Sequence, residues 1–267
     1  MAEIKPFKPI IYNKDRVNLS KVIMPPYDII NDEDIIKYYN LDEYNIVRID
    51  KGKVFMDDTE ENNRYVRAKE YIEDWLKKGV LKRVEKEGFF IYSQEYFLPY
   101  GEKREMVGFF AIVKLEEFEK NIILPHEKTH TGPKIDRLNL MRQTRANTSS
   151  ILSLYFDGKR EVDSILKEYI NSYPPYVDIY DCDNIRYKMW QMFDKSTITK
   201  IESFFKDKKL YIADGHHRYE TAILFRDEMK KKKEFNESYN YILMCLISCL
   251  LYTSPSPRDL STSRMPS

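Results

Sequence analysis

Between residues 60 and 78, apolar residues recur three and four apart, so that Tyr65, Ala68, Ile72, Trp75 and Leu76 share one face of a predicted helix. Asp57 to Glu61 place negative charge at its positive dipole end, and Gly79 is a natural stop. The same spacing predicts a helix over Lys134–Ala146, with Ile135, Leu138 and Met141 inward, and further helices over Asp32–Tyr39, Val162–Ile170 and Tyr219–Lys233. Residues 88–98 and 106–115 are rich in Phe, Tyr, Ile and Val and read as strands, joined as a hairpin through Pro99-Tyr100-Gly101-Glu102. Ser150–Phe156 and the run Leu210-Tyr211-Ile212-Ala213 read as strands, and Arg48-Ile49-Asp50 as the end of one. Residues 184–193 and 199–210 supply more mixed structure. Proline pairs at 25–26 and 174–175 force extended backbone. Helices and strands are interspersed without an internal repeat, which predicts an α/β (α+β) fold with a mixed sheet.

Composition narrows the class. Of 267 residues, 33% are charged and 42% hydrophobic, as in a water-soluble globular chain, and the net charge of +1 gives no overall field to draw it onto nucleic acid or membrane. No apolar run is long enough to span a bilayer, Ile242–Leu251 included, and Met1–Ile10 shows no cleavable signal pattern. Cys182, Cys245 and Cys249 lack metal-site spacing, so the expectation is a cytoplasmic protein with reduced thiols. The composition breaks at Cys249. The string Cys249 to Asp259, followed by Ser263-Arg264-Met265-Pro266-Ser267, resembles one reading frame of a common transposase-type sequencing adaptor. Residues 249–267 are therefore expected to be a non-native, disordered tail, and the natural chain to continue beyond Ser248. A plain Ser/Pro tail is the alternative.

Candidate chemistry is concentrated in two short segments that hold all four histidines. The first, Asp214-Gly215-His216-His217-Arg218, lies at a strand-to-helix junction. Glycine permits close approach and the helix start offers free N–H groups. His216, His217 and Arg218 are therefore candidates to hold the phosphates of a nucleotide, with Asp214 orienting a ligand, a histidine or Mg²⁺. A turn whose histidines satisfy local carbonyls is the plainer reading. The second, Pro125-His126-Glu127-Lys128-Thr129-His130, offers His126 and Glu127 as catalytic groups, Glu127 as general base on a substrate hydroxyl, and Lys128 and Thr129 for phosphate. The flanking Pro125 and Gly132-Pro133 argue for a loop, which weakens metal binding by the His126–His130 pair alone, so no metal ligand is assigned. Arg142, Arg145 and Asn147 either cap the helix before them or contact a phosphate or carboxylate. Met24-Pro25-Pro26-Tyr27-Asp28 is a rigid turn that either shapes a pocket or is structural. There is no Walker-type glycine loop, dinucleotide fingerprint or nucleophile elbow.

Five motifs occur in order: Met24-Pro25-Pro26-Tyr27-Asp28, Leu124 to Thr129, Gly132 to Leu138, Thr144-Arg145-Ala146-Asn147, and Ile212 to Ala222. Over roughly residues 4–248 the chain resembles the bacterial domain-of-unknown-function family 1015, whose members are usually longer. Its Asp-Gly-His-His-Arg element is similar to that of ParB-like free serine kinases, and more distantly to the nucleotide-binding boxes of ParB and sulfiredoxin. The resemblance implies a ParB/sulfiredoxin-like core at about 105–235, with residues 1–104 packed on it in one elaborated domain, 1–248, and insertions within Val162–Lys209. It also implies a nucleotide (ATP, ADP or CTP) with Mg²⁺, phosphotransfer to a small hydroxyl substrate such as serine, or phosphoserine-directed transfer. Glu127 would be the base and Arg145 or Asn147 the substrate contacts. Two alternatives stand beside this: a nucleotide-operated switch that binds DNA or a protein, and a metal-dependent phosphatase using the same histidines. No membrane partner is expected and nucleic acid is disfavoured.

Overall fold

The computed structural model describes residues 1–98, 100–127, 131–234 and 236–250, with the backbone alone at 131–133. Lys128, Thr129 and His130 lie outside the described residues, as does the expected tail from residue 251 onward. In chain order, β1 (Ile4–Lys5), β2 (Ile10–Tyr12), α1 (Leu19–Val22), α2 (Asp32–Leu41), α3 (Val47–Asp50) and α4 (Arg64–Lys77) come first. Then follow β3 (Leu81–Arg83), β4 (Phe89–Phe97), β5 (Lys103–Lys114), β6 (Ile123–Leu124), α5 (Thr131–Thr144), β7 (Ile151–Tyr155) and α6 (Glu161–Ser172). The chain continues with β8 (Val177–Tyr180), β9 (Arg186–Met192), α7 (Lys195–Phe205), β10 (Leu210–Asp214), α8 (His216–Lys231) and β11 (Tyr241–Ser248).

Local chemistry accounts for the helix ends. Asn31 and Asp34 form a reciprocal capping box on α2, Asn63 accepts from the Tyr65 and Val66 amides at the start of α4, and Asp194 caps α7. Gly79 follows α4 with φ 71°, the left-handed conformation that ends a helix most easily when no Cβ is present.

A nine-stranded mixed sheet runs β6-β10-β7-β11-β5-β4-β9-β8, with β1 also pairing with β5. β4 and β5 form the expected antiparallel hairpin, in register from Phe90↔Phe110 to Phe97↔Lys103. The sheet runs without a break across residue 104 and takes in β11, which pairs parallel with β7 and antiparallel with β5. Its core gathers Phe89, Ile91, Phe109, Val113, Tyr155 and Phe205. A second core forms where α4 meets α5 and the β2–β3 ribbon, centred on Trp75, Ala68 and Leu140. The predicted apolar face of α4 packs there, with Ala68 and Trp75 buried and Tyr65, Ile72 and Leu76 partly so.

Two expectations are corrected. Arg48-Ile49-Asp50 belongs to the helical turn α3 and ends no strand. A three-residue window has no period by which helix and strand differ. Ile135 is 55% exposed, and Leu140 takes its place inward beside Leu138. Among the described residues no helix is long and apolar enough to cross a membrane; Tyr241–Ser248, within the apolar run, is an interior strand.

A buried polar network joins the N-terminal segment to α5 and the entry to β7. Asp50 accepts from Arg137 Nη1 at 2.9 Å, Thr148 Oγ1 at 2.6 Å and Ser149 Oγ at 2.7 Å. Arg137 also donates to Asp136, which takes a further pair from Arg64, and the Arg137 guanidinium lies 3.8 Å from the Tyr27 ring centroid. Both members of the Asp50–Arg137 pair are nearly solvent-free, so each depends on the other for compensation of its charge. Asp50→Ala is expected to destabilise the fold by about 3–5 kcal/mol, because it strands buried donors. Urea unfolding measures this, and a loss below about 1 kcal/mol would contradict the network's role.

Candidate functional site

The two histidine segments are about ninety residues apart in sequence, and the sheet brings them together. β6 and β10 pair in parallel, Leu210↔Ile123 and Tyr211↔Leu124, so their carboxyl ends open on the same edge. Residues 125–127 leave β6 there, and Asp214-Gly215 turns β10 into α8 there. The register of β10 against β7 slips between Ile212 and Asp214, which frees the last residues of the strand to bend into the turn. Gly215 has φ 94°, and a Cβ on it would lie 3.0 Å from Arg218 Nε. Among the described residues no side chain caps α8, so its first amides face the junction at the positive end of the helix dipole.

His126, Glu127 and His216 meet at this junction, one ligand-type atom from each lying within 4.8 Å of the others. His126 Nδ1 is 2.7 Å from the Ile212 carbonyl. A carbonyl only accepts, so Nδ1 carries the proton and Nε2 of the neutral ring keeps its lone pair. The backbone N–H of His126 donates to His216 Nε2 at 3.3 Å, which places the proton of neutral His216 on Nδ1. That Nδ1 lies 3.0 Å from Glu127 Oε1, close enough for an ion pair but without hydrogen-bond alignment. The His216 side chain is 1% exposed and that of Glu127 53%, so a buried base and a solvent-facing carboxylate share one position. The two imidazoles meet edge to face at 4.5 Å. Burial pushes the His216 pKa below its ordinary value. The Glu127 carboxylate opposes that shift, and the neighbouring His126 adds to it.

Several other residues of the motif bond within the protein. Arg218 is buried; it donates to the Ser150 carbonyl and, at 2.5 Å, to Asp214 Oδ2. Its charge is therefore compensated within the protein, and its Nε faces the Gly215 turn. Tyr219 is fully buried, donates to the Glu116 carbonyl at 2.7 Å and accepts from the Glu116 amide at 2.9 Å, tying α8 to the segment that leads into β6. Glu220 pairs with Lys134. His217 Nδ1 is buried with no hydrogen-bond partner among the described residues.

Arg145 is not brought to the cluster. It docks on Glu234 at 3.1 Å and on Met229, thirteen residues along α8 from His216 and so about 20 Å away. Arg142 pairs there with Glu228. Arg142 sits in the last turn of α5 and Arg145 just beyond it, and nothing local in the sequence signals that a second helix takes up both charges. Asn147 lines a narrow crevice with Arg137, Thr148, Ser149 and Arg218, behind the junction. Tyr27, Asp50, Arg137 and Tyr219 support the site, although none of them is a site candidate from the sequence alone. The proline pair before Tyr27 and the aromatic at position 219 inside the motif were the available signals.

A family profile described as Protein of unknown function (DUF1015) matches residues 4–249, and the chain belongs to that family. No curated protein and no solved structure matches it.

Two outcomes follow from this geometry. Gly215→Ala forces a Cβ into left-handed backbone against Arg218, and is expected to destabilise by roughly 1–2 kcal/mol in thermal unfolding. An unchanged melting temperature would contradict it. NMR titration of the His216 ring is expected to show a midpoint below the ordinary 6.5, and a lower one still in Glu127→Gln, because the variant removes the carboxylate that raises it. By linkage the neutral ring contributes stability above about pH 6.5, lost as pH falls through the depressed folded value. A midpoint above 6.5 would reverse the assignment.

Proposed function

We propose that this DUF1015 member is a phosphotransferase acting between a nucleotide and a small hydroxyl substrate, with Glu127 as general base. The observation that carries the reading is the Glu127 carboxylate, solvent-facing and 3.0 Å from buried His216, at the start of α8, which no described side chain caps. A carboxylate held there accepts a proton from a substrate hydroxyl while amides beside it receive an anion. The hydroxyl oxygen bonds to phosphorus, the bond from phosphorus to the leaving nucleotide oxygen breaks, and the hydroxyl proton passes to Glu127.

The residues fit a nucleotide in part. Gly215 permits the tight left-handed turn over the Arg218 guanidinium, and the N–H groups of His216 and His217 supply donors at the positive helix end. Arg218 and Lys134 carry charges already matched by Asp214 and Glu220, so they act through position more than through net charge. Among the described residues the Asp214 and Glu220 carboxylates are matched by Arg218 and Lys134, and Glu127 adds a further negative charge, so these residues favour the magnesium complex of a nucleotide over the bare anion. Mg²⁺ supplies that neutralisation when bound. The resemblance to ParB-like serine kinases supports serine or phosphoserine as the first substrates to try.

The test incubates the protein with ATP, ADP or CTP, Mg²⁺ and serine or phosphoserine, and follows phosphate transfer by phosphorus NMR. Glu127→Gln is expected to lose on the order of 100-fold or more in turnover while nucleotide affinity stays within about threefold. Equal turnover in the variant rules out the base. Absence of transfer with every pair tried overturns the reading.

A further inference from the structure

We propose that His126, Glu127 and His216 form a transition-metal site, suited to Zn²⁺ and not to Mg²⁺. The proposal rests on ligand geometry alone and stands or falls apart from the phosphotransfer reading. Metal bonds of about 2.0–2.1 Å place two ligand atoms of one ion about 2.9–3.4 Å apart, for angles between octahedral and tetrahedral. Glu127 Oε1 and His216 Nδ1 are 3.0 Å apart, the spacing of neighbouring ligands on a shared ion. The contact lacks hydrogen-bond alignment, and His216 Nδ1, on a side chain 1% exposed, has no hydrogen-bond partner among the described residues. A buried imidazole nitrogen aimed at a carboxylate without bonding to it is an unsatisfied group, and a cation between the two would satisfy both.

His126 adds an independent sign. Its Nδ1–H donates to the Ile212 carbonyl at 2.7 Å, which fixes the tautomer and leaves the Nε2 lone pair free. Metal-binding histidines are oriented in this way by a backbone carbonyl on the other ring nitrogen. Two imidazoles with one carboxylate suit Zn²⁺ and its first-row neighbours, whereas Mg²⁺ takes oxygen ligands and keeps its water. Glu127 is exposed, so rotation of its side chain draws the three atoms together from within 4.8 Å while the His126 ring stays on the Ile212 carbonyl.

Ligation through His216 Nδ1 moves the ring proton to Nε2. The 3.3 Å contact from the His126 N–H, whose acceptor is that nitrogen, then opens. Metal entry is thus coupled to a shift of the 125–127 backbone. It also occupies the Glu127 carboxylate, so a site filled with Zn²⁺ cannot use Glu127 as a base.

The test uses the full chain freed of metal and titrated with Co²⁺, whose visible d–d absorption reports coordination directly. The expected result is about one Co²⁺ per chain, displaced by Zn²⁺ and unaffected by millimolar Mg²⁺. Glu127→Gln and His126→Ala, each at an exposed position, should weaken Co²⁺ by roughly tenfold or more, with far-ultraviolet circular dichroism unchanged. Cys182→Ser should leave the affinity unaltered. No visible band, equal affinity in both ligand variants, or displacement by Mg²⁺ overturns the site. Co²⁺ binding without phosphotransfer leaves the site standing and removes the reaction. Phosphotransfer without Co²⁺ binding does the reverse.

Discussion

Everything at the junction depends on two residue pairs of parallel strand, Leu210↔Ile123 and Tyr211↔Leu124. Parallel pairing needs a crossover, and here it spans almost the whole stretch between the two histidine segments, α5, β7 and the α6–α7 region included. A two-residue ladder is weak alone, so other contacts hold it. Ile123 and Leu210 are both fully buried, Tyr219 clamps α8 to Glu116 ahead of β6, and its ring stacks on Phe118 at 5.2 Å. The tyrosine four residues after Gly215 thus fixes the distance between the segments that carry Glu127 and His216.

That arrangement divides the Asp214–Glu220 string by role. Asp214, Arg218, Tyr219 and Glu220 spend their polar groups on the protein, holding the turn against β7, the approach to β6 and α5. His216 and His217 keep buried Nδ1 atoms that have no hydrogen-bond partner among the described residues, and so does Nε of Arg218, whose other guanidinium nitrogens are bonded. Burial of polar nitrogens without a partner is costly, and a fold that retains three of them on consecutive residues concentrates that cost where a ligand would relieve it.

Much of the architecture was legible. The period of α4 and the alternation of β4 and β5 are local signals strong enough to read directly, and the strand-to-helix turn at Gly215 announced itself through its glycine. The sheet order was not legible, because β6 is two residues long and carries no period, and because pairing between distant strands leaves no trace in local pattern. The proximity of Glu127 to His216 came from the family resemblance, and the structure supplies its physical reason in the β6–β10 register. Charge was the least legible feature. Arg145 and Arg218 look alike in sequence as free cations, yet one is taken up at the far end of α8 and the other by Asp214 and a carbonyl. Whether an arginine is spent depends on partners that only the tertiary fold brings in.

The ordered motifs are better understood as one network than as separate sites. Tyr27, from the rigid Pro25-Pro26 turn, places its ring 3.8 Å from the Arg137 guanidinium and 5.7 Å from that of Arg218. Arg137 reaches Asp50, Asp50 binds Thr148 and Ser149, and the carbonyl of the next residue, Ser150, accepts from Arg218. A continuous path of charge-assisted contacts therefore leads from the N-terminal turn through α5 and the entry of β7 to the base of α8. The path ends on Arg218, whose guanidinium lies against the Gly215 turn next to His216. The residues that give the string its chemical look spend most of their polar groups on holding the turn, and His126, Glu127 and His216 meet where it opens.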